Sequence, residues 1–323
     1  MSAPVLFIAF ARPDATRRTF ERIKAAQPTS LYVSIDAPRP ERGAAERNQV
    51  DEVKAIATAV DWPCTLHTQF SDHNRGPGRG PRWAMDWFLT QESEGIIVED
   101  DCLPEVSFFT FCDELLERYR DDERIGAIAG TAFGAHAAQP RHDSYRFSRY
   151  ATMWGWATWR RAWAEVDPLL GSWPVDRETD WLLQVGDGHR DFADYWTGVF
   201  DMVRADLPEY WDYQFQYALW KRGQLTIHPS VNLVSNIGFA TGASHTHAIG
   251  AHPMRDLPTS PIDLPLRHPS TMRADNAADR WIDLQVYRTR RSLRGRLLRA
   301  GISGVQSLGI RHPRLTQLND GRG

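Results

Sequence analysis

The stretch Gly95-Ile-Ile-Val-Glu-Asp-Asp101 decides how the rest of the chain is interpreted. Its consecutive apolar residues predict a buried strand, and three carboxylates follow where that strand should end. Like charges that are buried together are costly unless a positive group joins them. A divalent cation with oxygen ligands, Mn²⁺ or Mg²⁺, is the simplest partner, and phosphate oxygens commonly complete its coordination shell. The alternative interpretation is a solvated acidic turn.

Segments on both sides of this stretch alternate between two kinds of pattern. Strand-like apolar runs cover residues 4–10, 31–35, 65–70, 95–98 and 125–129, and helical spacing covers residues 14–26, 50–60, 83–89 and 106–119. Such alternation predicts βαβ units, and therefore an α/β fold with a mostly parallel, Rossmann-like central sheet flanked by helices. Sheets of this type bind ligands beyond the carboxyl ends of their strands.

Two more polar residues follow predicted strands. Arg12 comes after the first strand and Asp36 closes the second. Because parallel strands end at one edge of a sheet, we expect both side chains near the acidic stretch. Together these residues suit a nucleoside diphosphate. The arginine would bind a phosphate, the carboxylate would accept from the nucleobase, and the acidic stretch would bind a metal ion.

Two other phosphate-binding motifs are excluded. An apolar strand that ends in acid is also typical of P-loop proteins, but no GxxxxGK[ST] motif is present. The run Gly76-Pro-Gly-Arg-Gly-Pro81 is similar to a dinucleotide fingerprint, yet Pro81 stands in place of the third glycine. Its two prolines lack backbone N–H donors. We therefore predict that residues 76–81 form a flexible or ligand-covering loop.

The second half of the chain is rich in Trp and less regular. Residues 225–234 are predicted to form a strand, and residues 251–270 contain five prolines. The expected organisation is a catalytic domain over residues 1–250, a Pro-rich linker or wrapped arm over 251–285, and a basic amphipathic tail over 286–323.

Charge is distributed unevenly along the chain. The total is -3, and residues 286–323 hold nine Arg and one Asp, so residues 1–285 carry -11. An acidic body argues against a nucleic-acid binder. The basic tail could lie on the inner face of an anionic membrane or pack on the acidic body. The three cysteines form no CxxC motif, which favours a reducing compartment. No apolar run reaches the length of about 18 residues that a membrane span needs. We therefore predict a cytoplasmic protein.

The acidic stretch also carries a family resemblance. The chain resembles GT-A glycosyltransferases, in particular N-acetylglucosaminyltransferase I and related bacterial nucleotide-diphospho-sugar transferases. The matching segments follow the same order over residues 4–247: 5–12, 34–36, 82–84, 97–109, 154–163, 211–212, 228–231 and 244–245.

The resemblance implies an inverting enzyme with a single GT-A domain that binds a UDP-sugar with Mn²⁺. It assigns Asp101 as the direct metal ligand, Asp100 to the ribose and Glu99 to the sugar or the metal-bound waters. Arg12, Asp36 and Arg82 match segments that contact the nucleotide-sugar. The family's uracil-contacting His has no counterpart, because Gly80 and Pro81 stand there.

The resemblance assigns the catalytic base to Asp212. An inverting transfer needs a carboxylate that takes the proton of the acceptor hydroxyl. The family has two adjacent Asp here, and Tyr213 replaces the second; Asp206 and Glu209 are nearby reserves. The alternative for Asp212 is a helix N-cap, for which Asp is well suited.

Further contacts are expected around the donor and the acceptor. His245 is predicted to reach the metal or the pyrophosphate, and Ser244 to donate to a phosphate oxygen. Trp154, Trp156 and Trp211 are predicted to bind the acceptor through their ring faces, although core packing explains most tryptophans equally well.

The sequence therefore predicts a metal-dependent glycosyltransferase of polysaccharide biosynthesis. Its partners would be a nucleotide-sugar donor and a glycan or lipid-linked acceptor. Two alternatives stay open: a non-catalytic glycan-binding protein on the same fold, and a metal-dependent phosphodiesterase or nucleotidyltransferase that uses the same carboxylates.

Overall fold

An eight-stranded sheet forms the centre of the structure, a computed structural model that describes residues 2–135, 142–205, 210–238 and 257–289. The strands are β1 Val5–Ala9, β2 Ser30–Ile35, β3 Thr65–Phe70, β4 Glu94–Glu99, β5 Cys102–Pro104, β6 Ile125–Ala129, β7 Tyr145–Ser148, β8 Trp156–Trp159, β9 Leu225–Pro229 and β10 Val234–Asn236. The main sheet has the order β3-β2-β1-β4-β8-β6-β9-β7, and β10 pairs with β5 in a separate ribbon.

Four of the seven strand pairs in the main sheet are parallel. They are β3·β2, β2·β1, β1·β4 and β6·β9, whereas β8 and β7 run antiparallel to their neighbours. The predicted α/β class is confirmed, and the first five predicted strands lie within one residue of those observed. The single strand predicted over residues 225–234 is wrong. It is two strands, because β9 ends at Pro229 in the main sheet and β10 pairs with β5 in the separate ribbon.

Helices cover both halves of the sheet. They are α1 Pro13–Ala26, α2 Gly43–Ala57, α3 Gly76–Gln91, α4 Ser107–Arg118, α5 Arg160–Trp163, α6 Trp173–Asp176, α7 Trp181–Val185, α8 Arg190–Ala205, α9 Asp212–Lys221 and α10 Asn276–Trp281. A 3₁₀ turn at Pro40–Arg42 precedes α2, and a π-helical turn at Ile282–Val286 continues α10.

Residues 76–81 are helical, so the loop predicted there is wrong. Helix α3 begins at Gly76, and Pro77 lies in its first turn, where the missing N–H has no intrahelical partner to lose. The carboxylate of Asp36 accepts from the backbone N–H groups of Arg75 and Gly76 at 2.9 and 3.1 Å. The start of α3 is therefore fixed by Asp36, the residue that follows β2.

The central strands are buried on both faces, as continuous apolar runs in parallel sheets usually are. Phe7 and Val98 pack on one face of the sheet and Leu6 and Ile97 on the other, and each is at most 1% exposed. Gly95 is needed at the start of this run, because a Cβ there would come within 2.2 Å of the Phe88 ring. The acidic stretch is thus held in place by tight packing of β4 on α3.

The described part of the C-terminal region, residues 257–289, packs along the body. Asp279 of α10 is fully buried and accepts from Ser148 Oγ at 2.5 Å and from the backbone N of Arg149 at 2.9 Å. Residues 290–323, most of the predicted basic tail, lie outside the described residues. Within the described ranges, each helix is too short or too polar to span a membrane.

A buried histidine in β9 gives a testable pH dependence. His228 is fully buried, its Nε2 lies 2.7 Å from the carbonyl oxygen of Tyr150, and Arg146 is its neighbour. Burial, reinforced by the Arg146 charge, lowers the pKa of His228 to about 3. Between about pH 6.5 and 3, the imidazole of His228 is therefore protonated in the unfolded chain but stays neutral in the folded protein. Stability falls as the pH is lowered through this window.

We expect His228→Gln to lower the slope of the free energy of unfolding against pH by up to about 1.4 kcal/mol per pH unit. Urea unfolding of both proteins at pH 7 and pH 5 measures the difference, and His73→Gln, at a solvent-exposed histidine, controls for the substitution itself. An identical loss of stability on acidification in His228→Gln and the unaltered protein would contradict the assignment.

Candidate active site

A cavity of about 1050 Å³ lies at the carboxyl ends of β1, β2 and β4. Its wall on the sheet side includes Arg12, Asp36, Glu99, Asp100 and Asp101, so the structure brings these five predicted residues together. The parallel pairing of β1 with β4 places Ile8 opposite Glu99, which brings the residues after both strands to one edge. The opposite wall contains Met153, Trp154, Trp211 and Asp212.

Arg12 connects two of the carboxylates. Its Nη1 donates to Asp101 Oδ2 at 2.7 Å, and its Nη2 donates to Asp100 Oδ1. Asp100, only 1% exposed, also accepts from the backbone N of Phe10 at 2.9 Å. Arg12 therefore balances charge within the acidic cluster, in addition to lining the cavity.

One guanidinium does not neutralise the whole cluster. Burial raises the pKa of Glu99, and repulsion from Asp101 and, more weakly, from Asp212 adds to that rise. Burial likewise raises the pKa of Asp100, although Arg12 opposes the shift. The cavity wall thus has an excess of negative potential, which favours a bound cation.

The residues around Asp101 fit such a cation only with help from a ligand. No group of three His, Cys, Asp or Glu side chains with metal-binding geometry occurs among the described residues. The backbone at Gly238 approaches Asp101 so closely that a Cβ there would lie 2.3 Å from Oδ2. A divalent ion here would take one carboxylate from Asp101 and would need further oxygen ligands from outside the described residues, as Mg²⁺ and Mn²⁺ sites commonly arrange.

Asp36 lines the cavity but is engaged with backbone donors. Besides Arg75 and Gly76, the backbone N of Ala37 donates to Oδ1 of Asp36 at 2.9 Å. Burial raises the pKa of this carboxyl, and the three N–H groups oppose the rise. The carboxylate thus fixes the start of α3 at the edge of the cavity, and its contact to a nucleobase stays a prediction.

Asp212 lies where two cavities meet. A second cavity of about 190 Å³ adjoins the first, and Met153, Trp154 and Asp212 line both. Asp212 is the first residue of α9, whereas the N-cap position belongs to Trp211 and carries no side-chain cap. Helix capping therefore does not account for Asp212.

The other predicted site residues divide into three groups. Trp154 and Trp211 line the main cavity. Arg82 does not line it and lies near Asp86 and Trp163. Trp156 is 1% exposed in β8 and reaches the cavity only through Trp211, on which it stacks at 5.9 Å. Ser244, His245 and the reserve bases Asp206 and Glu209 lie outside the described residues.

Two side-chain pairs at the cavity were not predicted, and of their four members only Arg75 does not line it. Arg39 binds Glu46, with its backbone N 2.7 Å from Oε2 and its Nε 3.0 Å from Oε1. The guanidinium of Arg75 lies 4.1 Å above the ring of Trp83. Their only signal in the sequence is position: Arg39 follows β2 by a few residues, and Arg75 precedes the glycine run.

Comparison with known proteins finds similarity only among solved structures. No protein-family model matches the chain, and no curated protein matches it. A mannosyltransferase from Pyrobaculum calidifontis, solved with GDP-Man and Mn²⁺, is 12% identical with a TM-score of 0.34, and the match covers 50% of this chain and 45% of that one. The chain thus matches less than half the length of this neighbour.

Two other solved structures show weak similarity to the chain. A UDP-glucose pyrophosphorylase in complex with UDP-glucose is 9% identical with a TM-score of 0.33, over 51% of this chain and 79% of that one. Mouse xyloside xylosyltransferase 1 is 8% identical with a TM-score of 0.31, over 68% and 80%. With TM-scores below 0.5 and identities of 12% or less, these three likenesses carry no argument about this chain. The narrower resemblance to N-acetylglucosaminyltransferase I is not shown.

The contacts of Asp36 give a stability prediction. We expect Asp36→Ala to lower the free energy of unfolding by about 1 kcal/mol, because the N–H groups at the start of α3 lose their acceptor. Asp36→Asn keeps one acceptor oxygen and should lose less. Urea unfolding of the three proteins provides the comparison. Full stability in the alanine variant would show that the helix start does not depend on this carboxylate.

Proposed function

We propose that the protein is an inverting, divalent-metal-dependent glycosyltransferase that moves a sugar from a nucleotide-sugar, UDP-linked, to a hydroxyl of a glycan or lipid-linked acceptor. One observation carries the proposal. The acidic cluster Glu99, Asp100 and Asp101 faces a cavity large enough for a nucleotide-sugar, and Asp212 stands where that cavity meets a second one.

The donor would bind with its diphosphate near Asp101 and Arg12. Mn²⁺ or Mg²⁺, when bound there with Asp101 and donor oxygens, would offset the negative charge that develops on the departing diphosphate. The nucleoside would extend along the edge of the sheet towards Asp36, next to the Arg75 and Trp83 pair. Ser244 and His245 remain proposed contacts to the phosphates and the metal.

The chemistry required of the protein itself is proton transfer. An inverting displacement needs the acceptor hydroxyl on the face of the sugar opposite the diphosphate, with a carboxylate that takes its proton as the new bond forms. Asp212 suits this role because it lines both the donor cavity and the smaller cavity beside it. Trp154, which lines both as well, would separate donor and acceptor.

A panel of UDP-, GDP- and other nucleotide-sugars, incubated with the protein and Mn²⁺, tests the proposal directly. We expect slow release of a nucleoside diphosphate from one donor even without an acceptor. Release of a nucleoside monophosphate would identify a phosphodiesterase or nucleotidyltransferase instead. Glycan binding without any dependence on nucleotide or metal would identify a binding protein.

Substitution of two aspartates separates metal binding from catalysis. We expect Asp101→Asn to abolish turnover and weaken Mn²⁺-dependent nucleotide binding, and Asp212→Asn to lower turnover about 100-fold or more while the donor still binds. Asp61→Asn, on the surface beside Lys24, controls for the loss of one charge. Full transfer activity in Asp212→Asn would show that the base is another residue.

The close approach of Gly238 to Asp101 can be tested without changing any charge. We expect Gly238→Ala to displace the Asp101 carboxylate and weaken Mn²⁺-dependent binding of the nucleoside diphosphate at least tenfold. Calorimetric titration gives the affinity. Gly198→Ala is the matched control, because a Cβ at that position in α8 meets no atom within 4 Å. Unchanged affinity in Gly238→Ala would exclude Asp101 from the metal-nucleotide site.

A further inference from the structure

The second cavity has an aromatic lining. Its walls include Phe133, Trp154, Trp196, Tyr213 and Tyr287, and Asp212 lies at its junction with the donor cavity. Trp196 belongs to α8, and Tyr287 follows the π-helical turn near the end of the described chain. Residues from three distant parts of the sequence therefore form one small compartment.

The size of this cavity limits its occupant. Its volume is about 190 Å³, against about 1050 Å³ for the donor cavity beside it. A space of this size suits one sugar ring better than a second nucleotide.

The aromatic walls are held rigidly by contacts with one another. The Tyr287 ring stacks on Tyr150 with centroids 5.1 Å apart, and it meets Trp196 edge-on at 4.9 Å. Trp196 is fully buried and also packs edge-on against Trp220 at 4.8 Å. Trp196 therefore holds Tyr287 in place, and a ring fixed in this way binds a ligand with little loss of side-chain entropy.

Polar groups accompany the aromatic rings. Burial raises the pKa of the Tyr213 and Tyr287 phenols, and the charge of Asp212 adds to both shifts, which indicates that this carboxylate lies close to the two hydroxyls. The indole N–H of Trp196 has no acceptor among the residues that the structure describes. A ligand with several hydroxyl groups could satisfy these donors.

We propose that the second cavity binds a single hexose ring of the acceptor against Tyr287 and Trp154, with one hydroxyl at Asp212. The proposal rests on the proposed function and adds the acceptor class and the residues that select it. These residues differ from the acceptor contacts expected from the sequence, apart from Trp154. The hexose could end a free glycan or form the head of a glycolipid, since the cavity would bind the same ring in both.

Binding of simple glycosides tests this assignment. Methyl glycosides of glucose, galactose, mannose and N-acetylglucosamine are titrated into the full-length protein with Mn²⁺ and a nucleoside diphosphate, and saturation-transfer NMR gives the Kd. We expect at least one to bind with a millimolar Kd, and Tyr287→Ala to raise that Kd at least tenfold. Tyr287→Phe keeps the ring and should stay within about threefold of the unaltered protein.

Phe70→Ala is the control for the loss of an aromatic side chain. Phe70 is 42% exposed at the end of β3 and does not line the cavity, so its loss should leave the glycoside Kd unchanged. Octyl glycosides of the same sugars separate the two sources of acceptor. Tighter binding of the octyl form indicates a glycolipid head, equal binding indicates a free glycan, and both outcomes support the cavity assignment.

The outcomes distinguish this inference from the proposed function. If the nucleoside diphosphate binds and the donor is hydrolysed, but no glycoside binds or Tyr287→Ala binds as tightly as the unaltered protein, the cavity assignment is overturned and the proposed function stands. Tighter binding of phenol than of every glycoside overturns it as well. If no nucleotide binds, the proposed function fails, and a glycoside Kd that still depends on Tyr287 would identify the cavity as a sugar site.

Discussion

The charge balance between Arg12 and the carboxylates at the end of β4 is the constraint on which the site depends. Asp100 is almost completely buried, and a carboxylate in that position persists only with a positive group and hydrogen-bond donors around it. Parallel pairing of β1 with β4 brings Arg12 and the Phe10 N–H to it. Since the guanidinium satisfies only part of the negative charge, the same arrangement that stabilises the fold leaves a cavity wall that attracts cations.

Local patterns in the sequence account for much of this architecture. The first five strands were predictable because apolar runs of strand length alternate with helical spacing, and the shared edge of Arg12, Asp36 and Asp101 follows from parallel strands. Features that depend on distant residues were not predictable. The glycine and proline run 76–81 becomes helical because Asp36 accepts its first N–H groups. Trp156 and Arg82 match the resemblance, yet neither lines the cavity.

The C-terminal region shows the same limit of local patterns. Its prolines indicate an extended linker or arm, but its short helix carries Asp279, which lies fully buried against Ser148 and Arg149. A neighbouring carboxylate, Asp283, accepts from the Tyr150 hydroxyl and from Arg280. Buried ion pairs of this kind hold a segment in one position even when its apolar surface is small, because removal of either partner leaves a charge without compensation. No periodic pattern in the sequence records such pairs.

The position of Tyr287 has a consequence for how such proteins diversify. The described residues that line the donor cavity end at Gly238, whereas Tyr287 enters the smaller cavity from the far end of the chain. One wall of the proposed acceptor site thus belongs to a segment that contributes nothing to the described lining of the donor cavity. Under the proposed function, exchange of this terminal segment would change the acceptor pocket while the described lining of the donor cavity stays the same, a modular route to new glycan structures.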